Sequence, residues 1–207
     1  MTGPEQAPTR SAVLELKEER VVVGEAYDFL DEKRLLLAAE LLRQLEDYDR
    51  LLREIETLRQ QAVGALASAI TQHGLQGLSV YPAAAIDTAR FNADTHNFMG
   101  VMLVDTRLQL PEERPAESAA GSTSEVRSCQ LAFRKLLEAG SRLAGVSGNL
   151  YRLLVEYRLT ERRARALENV ILPEIEQTLR VMTSHLEELE FEDAVRVRVR
   201  GMASASY

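Results

Sequence analysis

The sequence predicts an all-α protein with a small β insert: a long antiparallel two-helix coiled coil joined through a short β-hairpin-like region. Three observations predict it. Apolar residues recur at steps of three, four and seven over residues 13–70 and again over 124–190, the pattern of a helix with one apolar seam. Between these stretches the period changes, and β-branched and bulky residues gather near 98–104. Aromatic residues make up only 5% of the chain and tryptophan is absent, so the seam is filled by Leu, Ile, Val and Ala, as the layers of a coiled coil are.

Taken in order, residues 1–8 read as a flexible lead. The first long helix is predicted over 9–73, with Thr9 or Ser11 as its N-cap. Its seam includes Leu37, Leu41, Leu45, Leu52 and Ile55, and charged residues fall between these positions. Gly74 follows His73 and is expected to end the helix in a left-handed conformation. Residues 74–123 form the β-containing insert and a polar loop. Leu78-Ser79-Val80-Tyr81 is a short strand candidate, and 98–104 is a stronger one. Pro111, Pro115 and Gly121 mark the loop, and Ser122 with Glu125 has the spacing of a capping box for the next helix.

The second long helix is predicted over 124–194, with Leu154, Tyr157, Leu167, Ile171, Ile175 and Leu179 in its seam. Two matched helices joined through an insert at one end imply an antiparallel pair. Leu167→Asp or Ile171→Asp is expected to disrupt that seam. Pro173 removes one backbone hydrogen bond and is expected to kink the helix. Gly140, Gly145 and Gly148 each cost about 1 kcal/mol relative to Ala in a helix, and they mark a bend or a local break. Residues 195–207 form a basic tail in which Val and Arg alternate. A helix end, an extended tail and a short strand all fit it.

The net charge of −7 argues against a nucleic-acid partner, which would attract a basic surface. No apolar run approaches the roughly 20 residues that span a bilayer, so direct membrane insertion is not expected. Pro4, Pro8 and alternating charges near the N-terminus do not read as a signal peptide. The lone Cys129 excludes an internal disulfide and makes a reducing, cytoplasmic setting the default. No glycine-rich phosphate loop is followed by Lys-Ser/Thr. His73, His96 and His185 do not have metal-ligand spacing. Cys129 falls in register with the seam, as a small apolar side chain would. The chain is therefore expected to have no catalytic residue, cofactor site or metal site. Its distinctive polar feature is arginine. Arg158, Arg162, Arg163 and Arg165 crowd one part of the second helix, and Arg196, Arg198 and Arg200 crowd the tail. These read as solvated helix faces or as contacts for an acidic protein surface, which guanidinium groups reach with paired hydrogen bonds; nucleic acid is a third reading, against which the short patches, the lack of interleaved aromatics and the acidic chain argue.

Three stretches carry a family resemblance. Pro8-Thr9-Arg10 leads into Leu14-Glu15-Leu16-Lys17, and Asn97-Phe98-Met99-Gly100-Val101 follows in the insert. The most specific is residues 160–173, TERRARALENVILP. In this order and spacing they resemble the D-subunit of V-type and A/V-type rotary ATPases. The resemblance implies a central rotor shaft with no active site of its own. It implies partners: a catalytic A/B-subunit hexamer, the rotor F-subunit, and the subunit coupling the shaft to a membrane ion-translocating ring. It also implies a place in the cytoplasm, peripheral to the membrane within a membrane-bound complex. Arg10 and the two arginine clusters are the candidate partner contacts. A coiled-coil adaptor or tether unrelated to a rotary motor is the alternative reading.

Overall fold

The computed structural model describes residues 9–79, 89–111 and 123–204, the last four by backbone alone. Helix α1 spans Arg10–Leu78, strand β1 Arg90–Phe98, strand β2 Val101–Gln109 and helix α2 Ser124–Ala166. A π-helical turn, Leu167–Ile171, joins α2 to helix α3, Leu172–Ser204. The chain is thus a long helix pair with a two-stranded antiparallel sheet as its insert.

The chain divides into two compact units, and the first comprises Met1–Leu35 and Arg158–Tyr207. Thr9 caps α1 here: its hydroxyl accepts the Ala12 N–H at 3.2 Å and its carbonyl accepts the Val13 N–H at 3.1 Å. Val13, Ile175 and Leu179 are buried together, with Leu16, Val23, Met182 and Leu186 packed around them. Arg10 pairs with Glu190, while Tyr27, further along α1, meets Glu168. Rising numbers on one helix meet falling numbers on the other, so the pair is antiparallel.

The same unit holds Pro173. The turn before it has widened to i→i+5 bonding, with Leu172 N–H donating to the Leu167 carbonyl. Proline has no N–H to give and crowds the carbonyl four residues back, and a π turn absorbs both at the cost of local packing. None of Leu167–Ile171 is buried, so the seam lapses between Ala164 and Ile175. The expected seam residue Ile171 is exposed, and Leu167 is half-buried. The helix then continues through 195–204, which settles the form of the basic tail as far as Ser204.

The second unit is Leu36–Tyr157. Here also the helices are antiparallel: Leu37 packs with Leu153, Arg142 pairs with Glu54 at 2.7 Å, and His73 shares a 2.7 Å hydrogen bond with Thr123. Helix α1 departs from helical geometry at Gly74 (φ 68, ψ 163), which only glycine adopts readily, and resumes to Leu78. The regular helix therefore breaks at Gly74, with the positive φ expected there, and a short helical segment follows to Leu78. Leu78 belongs to α1, so the strand candidate at 78–81 is corrected there; Val80 and Tyr81 lie outside the described residues, as do residues 1–8 and Ser122 of the expected capping box.

The stronger strand candidate, 98–104, straddles a turn. Phe98 ends β1, Val101 opens β2, and Met99-Gly100 form a two-residue loop with φ of 50° and 88°. Two positive φ values match the twist of the paired strands. The Asn97 side-chain oxygen accepts the Gly100 N–H at 2.9 Å and braces the loop. Register runs from Phe98↔Val101 to Arg90↔Gln109.

Candidate interaction surfaces

The sheet is positioned by its second strand. Val101 and Leu103 are buried against Leu37 and Leu153, with Leu41, Phe98, Met99 and Tyr157 around them. Leu37, Leu103 and Leu153 are fully buried, each worth about 1.5–3 kcal/mol of apolar transfer. Beyond this cluster the contacts turn polar. Asn149 Oδ1 accepts the Val104 N–H at 2.8 Å, and its Nδ2 donates to the Val104 carbonyl at 3.0 Å. Thr106 Oγ1 donates to the Ser141 carbonyl at 2.6 Å. Between these points lies Gly145, where a Cβ would come within 2.3 Å of Thr106 Oγ1. The glycine-containing stretch of α2 is thus no break: helix α2 is continuous through it. Gly145 is the close-approach point for a strand, whereas Gly140 has open space around its missing Cβ.

Sequence reasoning read Gly145 as a weak point in the helix and gave no role to Asn149, Ser141 or Thr106. Their only signal was the interruption of the leucine pattern by small and polar residues. The hairpin also bears on the seam. Of the expected core residues, Leu37, Ile175 and Leu179 are buried, and Leu41, Ile55, Tyr157 and Leu167 are half-buried. Leu45 and Leu52 are each 47% exposed and Leu154 is 37% exposed, while Gln44, Leu51 and Leu153 beside them are buried. The seam there runs one residue earlier than expected. Adjacent leucines at 51–52 and 153–154 fit the period equally well, and for Leu153 the hairpin's Val101 and Leu103 decide between them.

Leu45 and Leu52 then belong to a second stripe. Within the second unit, Leu42, Leu45 and Leu52 are all exposed and have the heptad spacing of a helix-binding face. A further exposed apolar set lies at the end of α3, where Phe191, Val195, Val197 and Val199 all face solvent.

The arginines separate into two groups. Arg10 gives Nε and Nη2 to the Glu190 carboxylate, which raises its pKa above the ordinary arginine value. Arg165 pairs with Glu161 at 2.6 Å, and Arg196 with Glu192 at 3.3 Å and Asp193 at 3.6 Å. Among the described residues Arg162 Nε reaches only the Arg158 carbonyl, at 3.5 Å. Arg158, Arg163, Arg198 and Arg200 are exposed and form no ion pair among the described residues. Thr160, two residues before this cluster's centre, is buried with Ala164 in the seam, and its neighbours Arg162 and Arg163 face outward.

No group of three His, Cys, Asp or Glu side chains among the described residues is arranged to hold a metal ion. Burial pushes the Cys129 thiol up from its ordinary pKa, away from thiolate chemistry. Beside Glu168, the Tyr27 phenol is likewise raised by the neighbouring carboxylate. No described helix is long and apolar enough to cross a membrane.

The family profile for the ATP synthase D-subunit matches residues 12–200. The chain is 28% identical over 192 residues to the V-type ATP synthase D-subunit of Thermotoga neapolitana, covering 93% of this chain and 95% of that one. It is 30% identical over 204 residues to the A-type ATP synthase D-subunit of Pyrococcus horikoshii, covering 96% and 94%. A third similar protein is the A-type ATP synthase D-subunit of Thermococcus kodakarensis, 27% identical over 202 residues, covering 96% and 94%.

Proposed function

Because the chain belongs to the ATP synthase D-subunit family, we propose that it is the central rotor shaft of a V/A-type rotary ATPase. In this reading it is a non-catalytic subunit that transmits torque between a catalytic A/B-subunit hexamer and a membrane ion-translocating ring. It acts in the cytoplasm, peripheral to the membrane. The observation that supports this most directly is the long helix pair itself, closed by an apolar seam in each unit, in a chain matched by the family along nearly its whole length.

The chemistry follows from the surfaces. Two packed helices resist bending and twisting better than one. A shaft whose sides differ makes different contacts with each surrounding subunit, so those subunits are biased toward different conformations and nucleotide affinities. The heptad stripe Leu42–Leu45–Leu52 is the face we assign to a helix of the rotor F-subunit. The end of α3, with exposed valines alternating with Arg196, Arg198 and Arg200, is assigned to the hexamer, and Arg158, Arg162 and Arg163 to an acidic surface of a neighbouring protein. A turning contact must release, and exposed Arg–carboxylate pairs suit that, at about 0–1 kcal/mol each.

Reconstitution tests the reading. The chain is mixed with the catalytic hexamer and the F-subunit, and binding and ATP turnover are measured. Stable assembly with altered turnover is expected. A chain that neither binds nor changes turnover would leave the adaptor or tether role in its place.

A further inference from the structure

We propose that the π turn at Leu167–Ile171 is a hinge in the first unit: it houses a one-residue phase shift in the apolar seam, and the helix pair parts there while staying closed on Val13, Ile175 and Leu179. Paired helices keep a shared seam when inward positions alternate steps of three and four. In this unit α1 does so without a slip, through Val13, Leu16, Arg20, Val23, Tyr27 and Leu30. The helix opposite does not. Thr160, Ala164 and Leu167 fit such steps, and so do Leu172, Ile175, Leu179 and Met182, but from Leu167 to Leu172 the step is five. A plain α-helix continued from Leu167 would bring Ile171 inward and, after it, Glu174, Thr178, Val181 and His185. The i→i+5 turn takes up the extra residue and returns Ile175 and Leu179 to the seam. Pro173 favours widening at this turn, and the phase of the seam beyond it needs the residue.

The repair leaves the pair poorly closed around it. Beyond Val13, no α1 residue of this unit is buried, and on the opposite helix nothing is buried between Ala164 and Ile175. Gly24 has open space where a Cβ would sit, and glycine is a poor helix former. The tie across the π turn is polar, from Tyr27 to Glu168. A stretch with few buried apolar contacts and exposed backbone bonds opens before its surroundings. The turn lies between the arginines of residues 158–165 and those of residues 196–200. On the shaft reading, on which this step rests, the hinge lets the two arginine surfaces engage and release their partners separately.

Native-state hydrogen exchange on the full chain reads the hinge. Amides of residues 24–30 and 168–171 should exchange about tenfold or more faster than those of Ile175 and Leu179. Deleting Val170 together with P173A removes both the extra residue and the proline. That variant should slow the same amides about tenfold and raise the thermal midpoint. P173A alone keeps the phase shift and should stay at least about threefold faster than the double variant. Deleting Thr178 instead breaks a correct phase and should lower the midpoint. Wild-type exchange as slow at the turn as at Ile175 overturns the proposal. So does a Val170 deletion with P173A that is as damaging as the Thr178 deletion, or P173A alone as slow as the double variant. In the complex reconstituted with the hexamer and the F-subunit, exchange at 168–171 should be about twofold or more faster during ATP hydrolysis than with a non-hydrolysable analogue. Equal rates overturn the mechanical use of the hinge. A wild-type chain that never assembles overturns the shaft reading, and exchange in the free chain still decides the hinge.

Discussion

The two units solve the same packing problem with different chemistry. In the first, α1 and α3 close on Val13, Ile175 and Leu179, an apolar seam with no strand among the described residues against it. In the second, the helix pair also receives a sheet, and its contact face on α2 uses Ser141, Gly145 and Asn149 beside Leu153. Helix against helix is satisfied by any well-spaced large apolar side chains. A strand edge laid on a helix brings backbone N–H and C=O groups that must be paired, and a backbone that must come close. Small and polar residues are the answer to that second demand. The difference teaches that a lapse in an apolar seam has two distinct causes in this chain: accommodation of Pro173 in the first unit and docking of the hairpin in the second.

The sharpest way to break this comparison is to place a charge in the hairpin cluster of the second unit and another on the π turn of the first. Leu153→Asp puts a carboxylate into the fully buried cluster beside the hairpin. It should cost about 3–5 kcal/mol, read as a lower denaturant midpoint. Ile171→Asp lies on the π turn, is 36% exposed, and should change the midpoint little. This replaces the expectation from periodicity, which placed Ile171 in the seam. Equal losses for the two variants would contradict the account of the π turn.

The glycines sharpen it next. Gly145→Val should drive Thr106 away and cost about 1–3 kcal/mol, with faster exchange along β2. Gly140→Ala meets nothing within 4 Å and should stabilise the helix by about 0.5–1 kcal/mol. If both glycines behaved alike in thermal unfolding, the close approach of β2 would not be what holds Gly145 in place.

The smallest effect is electrostatic. Glu40 accepts from Arg43 and Gln44, and the Arg43 guanidinium holds its carboxyl below the ordinary glutamate value. Its contribution is complete above that ordinary value and is lost as pH falls through the lowered one. Glu40→Gln should therefore remove a small part of the acid-side stability loss, under about 1 kcal/mol for such a pair. A steeper acid limb in the variant would reverse the sign of this assignment.

Much of the fold was legible in order along the chain. The helices, the N-cap at Thr9 and the cap-region glycine at Gly74 follow from local spacing and side-chain chemistry. So does the family resemblance, carried most specifically by residues 160–173, TERRARALENVILP, which the family profile over residues 12–200 bears out. The strand boundary at Met99-Gly100 was less legible, since 98–104 is uniformly apolar and its turn shows only as two positive φ values. The contact face on α2 was not legible at all, because glycine and asparagine in a helix read as defects until a strand is laid on them.

By itself the sequence determined that there are two long helices, that they pair through apolar seams and that the insert is β. Those features depend on periodicity and on residues near one another in the chain. Tertiary structure decided which of two adjacent leucines faces inward, that Pro173 is absorbed by a π turn, and that Asn149 completes the edge of β2. Each of these is a choice between alternatives that are equal locally. For the leucines and Asn149 it is settled only by a side chain or backbone group tens of residues away, and no local pattern carries that information; the π turn is local to Pro173, where periodicity alone does not separate a kink from a widened turn.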